Sequence, residues 1–130
     1  MKRGEIWTVA GGADYAGKPR PVVILQDDRF SGTASVTVCP FTTNPTDAPL
    51  FRRLVEPTGD NDLIQPSRIL ADKIMTVLRV KVGQRIGVLE PAHLAWMGKA
   101  VLVFLGLAGG GLSEEGPDGG EPASDQALAD

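Results

Sequence analysis

The sequence predicts a mainly β chain closed by one C-terminal helix, a small, strongly bent β-barrel with helical decoration. Three observations carry this. Five to seven short apolar or β-branched runs precede residue 90, punctuated by glycine, proline, asparagine and aspartate. At Glu90-Pro91 the apolar spacing changes to three and four residues. Beyond residue 109, glycine, proline, serine and acidic residues take over.

Each element has its own reason. Residues 3–9 alternate around Ile6, Trp7 and Val9 and predict a first strand. Residues 10–17, with Gly11, Gly12 and Gly17, predict a mobile loop. Residues 21–25 are almost wholly apolar, the signature of a short strand buried on both faces, and residues 27–32 read as a turn. The β-branched run at 33–41 is a strand, and Asn44, Pro45, Asp47 and Pro49 make 42–49 a loop. A strand at 51–55 leads into the turn from Pro57 to Asp62. Residues 63–80 predict one or two strands broken near Pro66, and residues 82–89 an ambiguous turn with a small strand.

Pro91 suits the first helical position, and Leu94, Met97, Val101, Phe104 and Leu105 share a helical stripe. Ala95, Ala100, Leu102 and Val103 make this helix apolar nearly all round, so it should be buried against the sheet and against a second subunit. It should stop at the glycines from Gly106 on. The expected organisation is a domain over residues 1–108 and a disordered acidic tail over 109–130.

Composition narrows the function. The net charge of −3 hides an asymmetry: residues 110–130 hold six of the 16 acidic side chains and none of the 13 basic ones. The body is therefore mildly basic, which suits an anionic ligand. The run from Ala100 to Leu107 is too short to cross a bilayer. With a single cysteine, Cys39, no intrachain disulfide can form, and a reducing cytoplasm is the natural home. Its place in an alternating strand marks it as a buried structural thiol. One histidine and one cysteine cannot build a zinc site or a histidine pair in one chain, and no phosphate-binding glycine motif is present.

The residues that could carry chemistry cluster at strand ends. Arg20, held between Pro19 and Pro21, enters a strand on a stiff extended backbone, so its guanidinium loses little entropy on gripping a phosphate. The plain alternative is an arginine that is solvated or paired with a carboxylate. Thr42 and Thr43 end another strand, where one hydroxyl can cap the turn while the other donates to a ligand oxygen. Ser67, in the turn Gln65-Pro66-Ser67-Arg68, is a weaker candidate of the same kind. Strand periodicity sets Arg68, Leu70 and Asp72 on one face. Asp72 there suits a base or an arginine-orienting carboxylate, the alternative being an ion pair with Arg68 or Lys73. Tyr15 is the best placed of the aromatics for stacking on a base, whereas Trp7 and Phe41 belong to the core and a lone helical His93 to the structure.

Taken in order, these pieces resemble the MazF/PemK (Kid) toxins: Lys2-Arg3-Gly4-Glu5-Ile6-Trp7, Lys18-Pro19-Arg20-Pro21-Val22-Val23-Ile24-Leu25, Pro40-Phe41-Thr42-Thr43 and the run from Ser67 to Val77. Ile86-Gly87 and the closing helix extend the resemblance over residues 2–107. It implies an SH3-like barrel of the MazF/CcdB type, forming a homodimer. It further implies a type II toxin that cuts single-stranded RNA at short sequences, without a metal or other cofactor, to 2′,3′-cyclic phosphate and 5′-OH ends. A cognate antitoxin with a disordered acidic segment would oppose it. By position, Arg20 matches the catalytic arginine, Thr42 the catalytic threonine and Ser67 a substrate-contacting serine. Tyr15 and Lys18 fall in the loop that gates the RNA groove. The arginine that one branch places two residues before Asp72 is Leu70 here, and that branch's loop histidine is missing. The alternatives are a CcdB-like gyrase-binding toxin and a non-catalytic SH3-like binding module. Both leave Arg20 and Thr42 without a task.

Overall fold

The structure, a computed structural model, describes residues 1–11, 18–45 and 48–108. The chain runs β1 (Glu5–Val9), β2 (Arg20–Ile24), β3 (Ser35–Thr42), β4 (Arg52–Val55), β5 (Ser67–Leu70), β6 (Met75–Leu78), β7 (Val82–Val88) and α1 (Pro91–Phe104). The strands form one bent antiparallel sheet in the order β4-β5-β3-β2-β1-β7, with β6 also on β3. The mainly β fold with a closing helix is as the sequence predicts.

The bend comes from β3. Its first half, Ser35 to Val38, pairs with β6, and its end, Phe41 and Thr42, pairs with β5. Between β5 and β6 the chain turns through a single 3-10 turn at Ala71–Lys73. Two corrections follow. The 63–80 segment breaks there, not near Pro66, because Pro66 lies ahead of β5 and leaves its ladder intact. Residues 82–88 form a full seven-residue strand along β1, with bulges on either side of Trp7.

Alternation along the strands divides the apolar residues into two clusters. On one face Ile6, Val23, Cys39, Phe41 and Ile69 pack with Met97, Ala100 and Val101 of α1. On the other, Val9, Val22, Ile24, Val36 and Val38 form a smaller cluster. β2 thus contributes to both, as its unbroken apolar run predicts. Burial pushes the Cys39 thiol up to about 12, the inert thiol expected of a core position.

The helix starts at Pro91 and ends at Phe104 as read from the sequence. Within this chain, however, only Met97, Ala100 and Val101 are buried, and Leu102, Val103, Phe104, Leu105 and Leu107 face outward. No described helix is long and apolar enough to cross a membrane.

One turn is stiffened from inside. Asn61, fully buried, accepts from the backbone N–H of Thr58 and of Leu63 (both 3.0 Å) and donates to the Glu56 carbonyl at 2.9 Å. Its amide also reaches Glu90, whose carboxylate accepts from the Thr58 hydroxyl. Gly87 lets this turn approach β7: a Cβ there would lie 2.5 Å from the Asp60 carbonyl oxygen.

Candidate active site

Antiparallel register assembles the site. β2 and β3 pair from Ile24↔Val38 to Val22↔Pro40, and Arg20 and Thr42 each stand two residues beyond that last pair, on its face of the sheet. The row extends both ways across the sheet: Val9 stands beside Arg20, and Arg68 beside Thr42, with Leu54 beyond it. Directly opposed residues share a face, so Arg20, Thr42 and Arg68 rise from one side of the sheet. It is the side that carries the smaller apolar cluster. Pro21 and Pro40, neither with an N–H to donate, mark the place where the β2–β3 ladder ends.

Arg20 and Thr42 stand on a saddle between two hollows. One, of about 510 Å³, is lined by Lys18, Thr43, Ser67 and the Asp62–Gln65 segment held by Asn61. The other, of about 640 Å³, is lined by Val9, Val22, Leu70, Asp72, Lys73 and Met75. Arg20, Pro21, Phe41 and Thr42 border both. An extended chain crossing the saddle would lie over the guanidinium and the hydroxyl, with room for a base on either side. Lys18, Arg20 and Lys73 add positive charge around the hollows, offset by Asp62 and Asp72.

The remaining candidates separate. The Thr42 hydroxyl accepts from the Asn44 N–H at 3.1 Å, capping the turn, and keeps its own proton to donate. Thr43 is exposed and lines the first hollow. Ser67 is the buried first residue of β5, not part of a turn, and its Oγ donates to the Gln65 carbonyl at 2.9 Å. Tyr15 lies outside the described residues, as do most of the first loop and the tail from residue 109.

Asp72 needs the clearest correction. It sits in the 3-10 turn after β5, so strand periodicity does not apply to it. Its partner is Arg52, not Arg68 or Lys73, with Nε and Nη2 donating to the two carboxylate oxygens at 3.3 and 3.0 Å. Burial works to raise the Asp72 pKa, but the Arg52 hydrogen bonds outweigh it and leave the carboxyl below its usual range. It does orient an arginine, though not Arg20. His93 is structural as expected: its Nδ1 accepts from Arg53 Nε at 2.8 Å on the helix side. Among the described residues no three histidine, cysteine or carboxylate side chains gather as they would around a metal ion.

The sequence reading missed Asn61, which holds the wall of the first hollow. The signal was there in Thr58-Gly59-Asp60-Asn61, a turn in which an amide can bond nearby backbone, but its closure onto Glu90 spans 29 residues.

Comparison with known proteins identifies a family and a fold. Residues 2–105 match the family described as "PemK-like, MazF-like toxin of type II toxin-antitoxin system". A probable endoribonuclease MazF of Mycolicibacterium smegmatis is 51% identical over 109 residues, which is 84% of this chain and all of that one. Among solved structures, the Mycobacterium tuberculosis toxin MazF-mt6 superposes with a TM-score of 0.65 at 25% identity, covering 79% of this chain and 98% of that one. An endoribonuclease in complex with its cognate antitoxin, from a mycobacterial species, gives 0.66 at 24% identity over 83% and 97%. A chain of the MazE–MazF crystal structure from Deinococcus radiodurans gives 0.67 at 18% over 83% and 97%, a likeness of fold.

Proposed function

The chain belongs to the PemK-like, MazF-like toxins of type II toxin–antitoxin systems, and we propose that it is a metal-independent, sequence-specific endoribonuclease acting on single-stranded RNA. The observation that carries this reading is that Arg20 and Thr42, at the ends of β2 and β3, border both hollows and form the saddle between them.

In the reaction the ribose 2′-OH attacks the adjacent phosphorus: the O2′–P bond forms as the 2′ proton passes to water, and the P–O5′ bond breaks as the 5′ oxygen takes a proton from water. The products are a 2′,3′-cyclic phosphate and a 5′-OH. The nucleophile is tethered to its electrophile, so much of the barrier is met by holding the nucleotide in line. Arg20 supplies charge to the phosphoryl oxygens, and the Thr42 hydroxyl donates to a non-bridging oxygen or orients the 2′-OH. On this reading Asp72, tied to Arg52 by two hydrogen bonds, orients that arginine and is assigned no part as base. Arg20, whose guanidinium offers donors and no acceptor, is not one either. Positioning and charge stabilisation therefore carry the catalysis on this reading.

The outward-facing apolar residues at the end of α1 support a homodimer. A cognate antitoxin with an acidic disordered segment would compete for the basic hollows. A single buried, unreactive cysteine suits a reducing cytoplasm.

The test is cleavage of a long single-stranded RNA in EDTA by the full chain and by Arg20→Ala. Discrete cuts ending in cyclic phosphate are expected, reduced about 10²–10³-fold in the variant, the loss that follows removal of one preorganised donor. No cutting by the folded parent protein would overturn the reading in favour of a protein-binding toxin.

A further inference from the structure

We infer that Arg68 is a second phosphate-binding arginine of this site, gripping the phosphate next to the one that Arg20 engages; the inference rests on the endoribonuclease reading. Arg68 lies directly opposite Thr42 in the β3–β5 register, just outside the linings of the two hollows, and Arg20 stands on the same face at the start of the neighbouring β2. The hydroxyl is thus flanked by two guanidinium-bearing residues on one face. Their Cα atoms are two strand spacings apart, roughly 10 Å, a span that long side chains can close or widen to follow a single strand.

What separates Arg68 from the other arginines is that no partner for its side chain stands among the described residues. Arg29, Arg52 and Arg85 pair with carboxylates. Arg3 and Arg79 donate to backbone carbonyls, and Arg53 to His93. Arg20 is also engaged. Among the described residues the Arg68 side chain makes no hydrogen bond or ion pair, although it is half-buried on β5. Its stem is held on the strand while the guanidinium keeps its donors for an anion, and a phosphodiester offers the oxygen pair that the arginine fork matches.

Arg68 holds the strand and does not stabilise the transition state, so its loss should raise KM and spare kcat. Arg68→Ala and Arg68→Lys are compared with the parent protein in the RNA cleavage assay and in binding a random-sequence single-stranded DNA 30-mer, which carries phosphates but no 2′-OH. Expected for Arg68→Ala is an affinity loss and a KM rise of about tenfold, the size of one charged hydrogen bond. The slope of log affinity against log salt should fall by about 0.7, one phosphate contact on a single strand. Lysine keeps the charge, so its slope should stay at the parent value. If alanine disturbs the fold, Arg68→Gln retains a long stem and is read the same way. Unchanged KM and salt slope in a folded variant would overturn the inference, as would a fall in kcat alone. Failure of the parent protein to cut RNA would instead overturn the enzymatic reading.

Discussion

Replacing Asp72 by Asn tests whether this carboxylate is structural or chemical. Arg52 grips it with two hydrogen bonds, and the two side chains are only 18% and 12% exposed. Asn keeps the volume but removes the charge, leaving a largely buried guanidinium without its counter-ion. Loss of one partner costs about 3–5 kcal/mol in a fully buried pair, and a hydrogen bond to a charged group contributes about 1.5–3 kcal/mol. The residual exposure places this case at about 2–3 kcal/mol, which for a domain of this size lowers Tm by about 10–15 °C. Urea and thermal unfolding, followed by circular dichroism, measure it. Cleavage per folded molecule should stay near the parent value. The folded-state pKa of Asp72 is depressed, so its contribution is present above its ordinary value of about 3.9 and is lost as pH falls through the lower folded value. The two proteins should therefore converge in stability only below about pH 4. A fully stable Asp72→Asn protein that no longer cuts RNA would refute the structural role.

Two further predictions concern the frame around the site. Gly87→Ala drives a Cβ into the Asp60 and Asn61 backbone, at 2.5–2.6 Å, and should cost about 3 kcal/mol in urea unfolding. Gly59→Ala, where nothing lies within 4 Å, is the control and should be close to neutral. His93 titrates below its ordinary value, through burial first and then Arg53, against the pull of Glu90. Its neutral form is favoured in the fold, so stability should decline as pH falls below about 6.5, and His93→Gln should flatten that decline.

What was legible in the sequence was local. Prolines on either side of Arg20, the β-branched run before Thr42 and Pro91 at a helix start each constrain a few residues, and each lands where it was read. A strand period carried past Leu70 misplaces Asp72, which lies in a 3-10 turn. Nothing local marks Arg52, twenty residues earlier, as its partner. The row of Arg20, Thr42 and Arg68 is likewise invisible in any one segment. Three strands and two separate registers create it.

The pairing of β1 with β7 has a consequence for how the chain folds as it is made. β1 holds β2 in register, yet its other edge meets only β7, with Glu5 against Val88 and Ile6 against Gly87. Contacts of such long sequence separation form late and slowly, because a long loop must close before they repay it. A ribosome has therefore translated nearly the whole domain before the strand that frames Arg20 gains its second neighbour, and α1 follows later still. For an endoribonuclease, that order delays the framing of the site until the chain is almost complete.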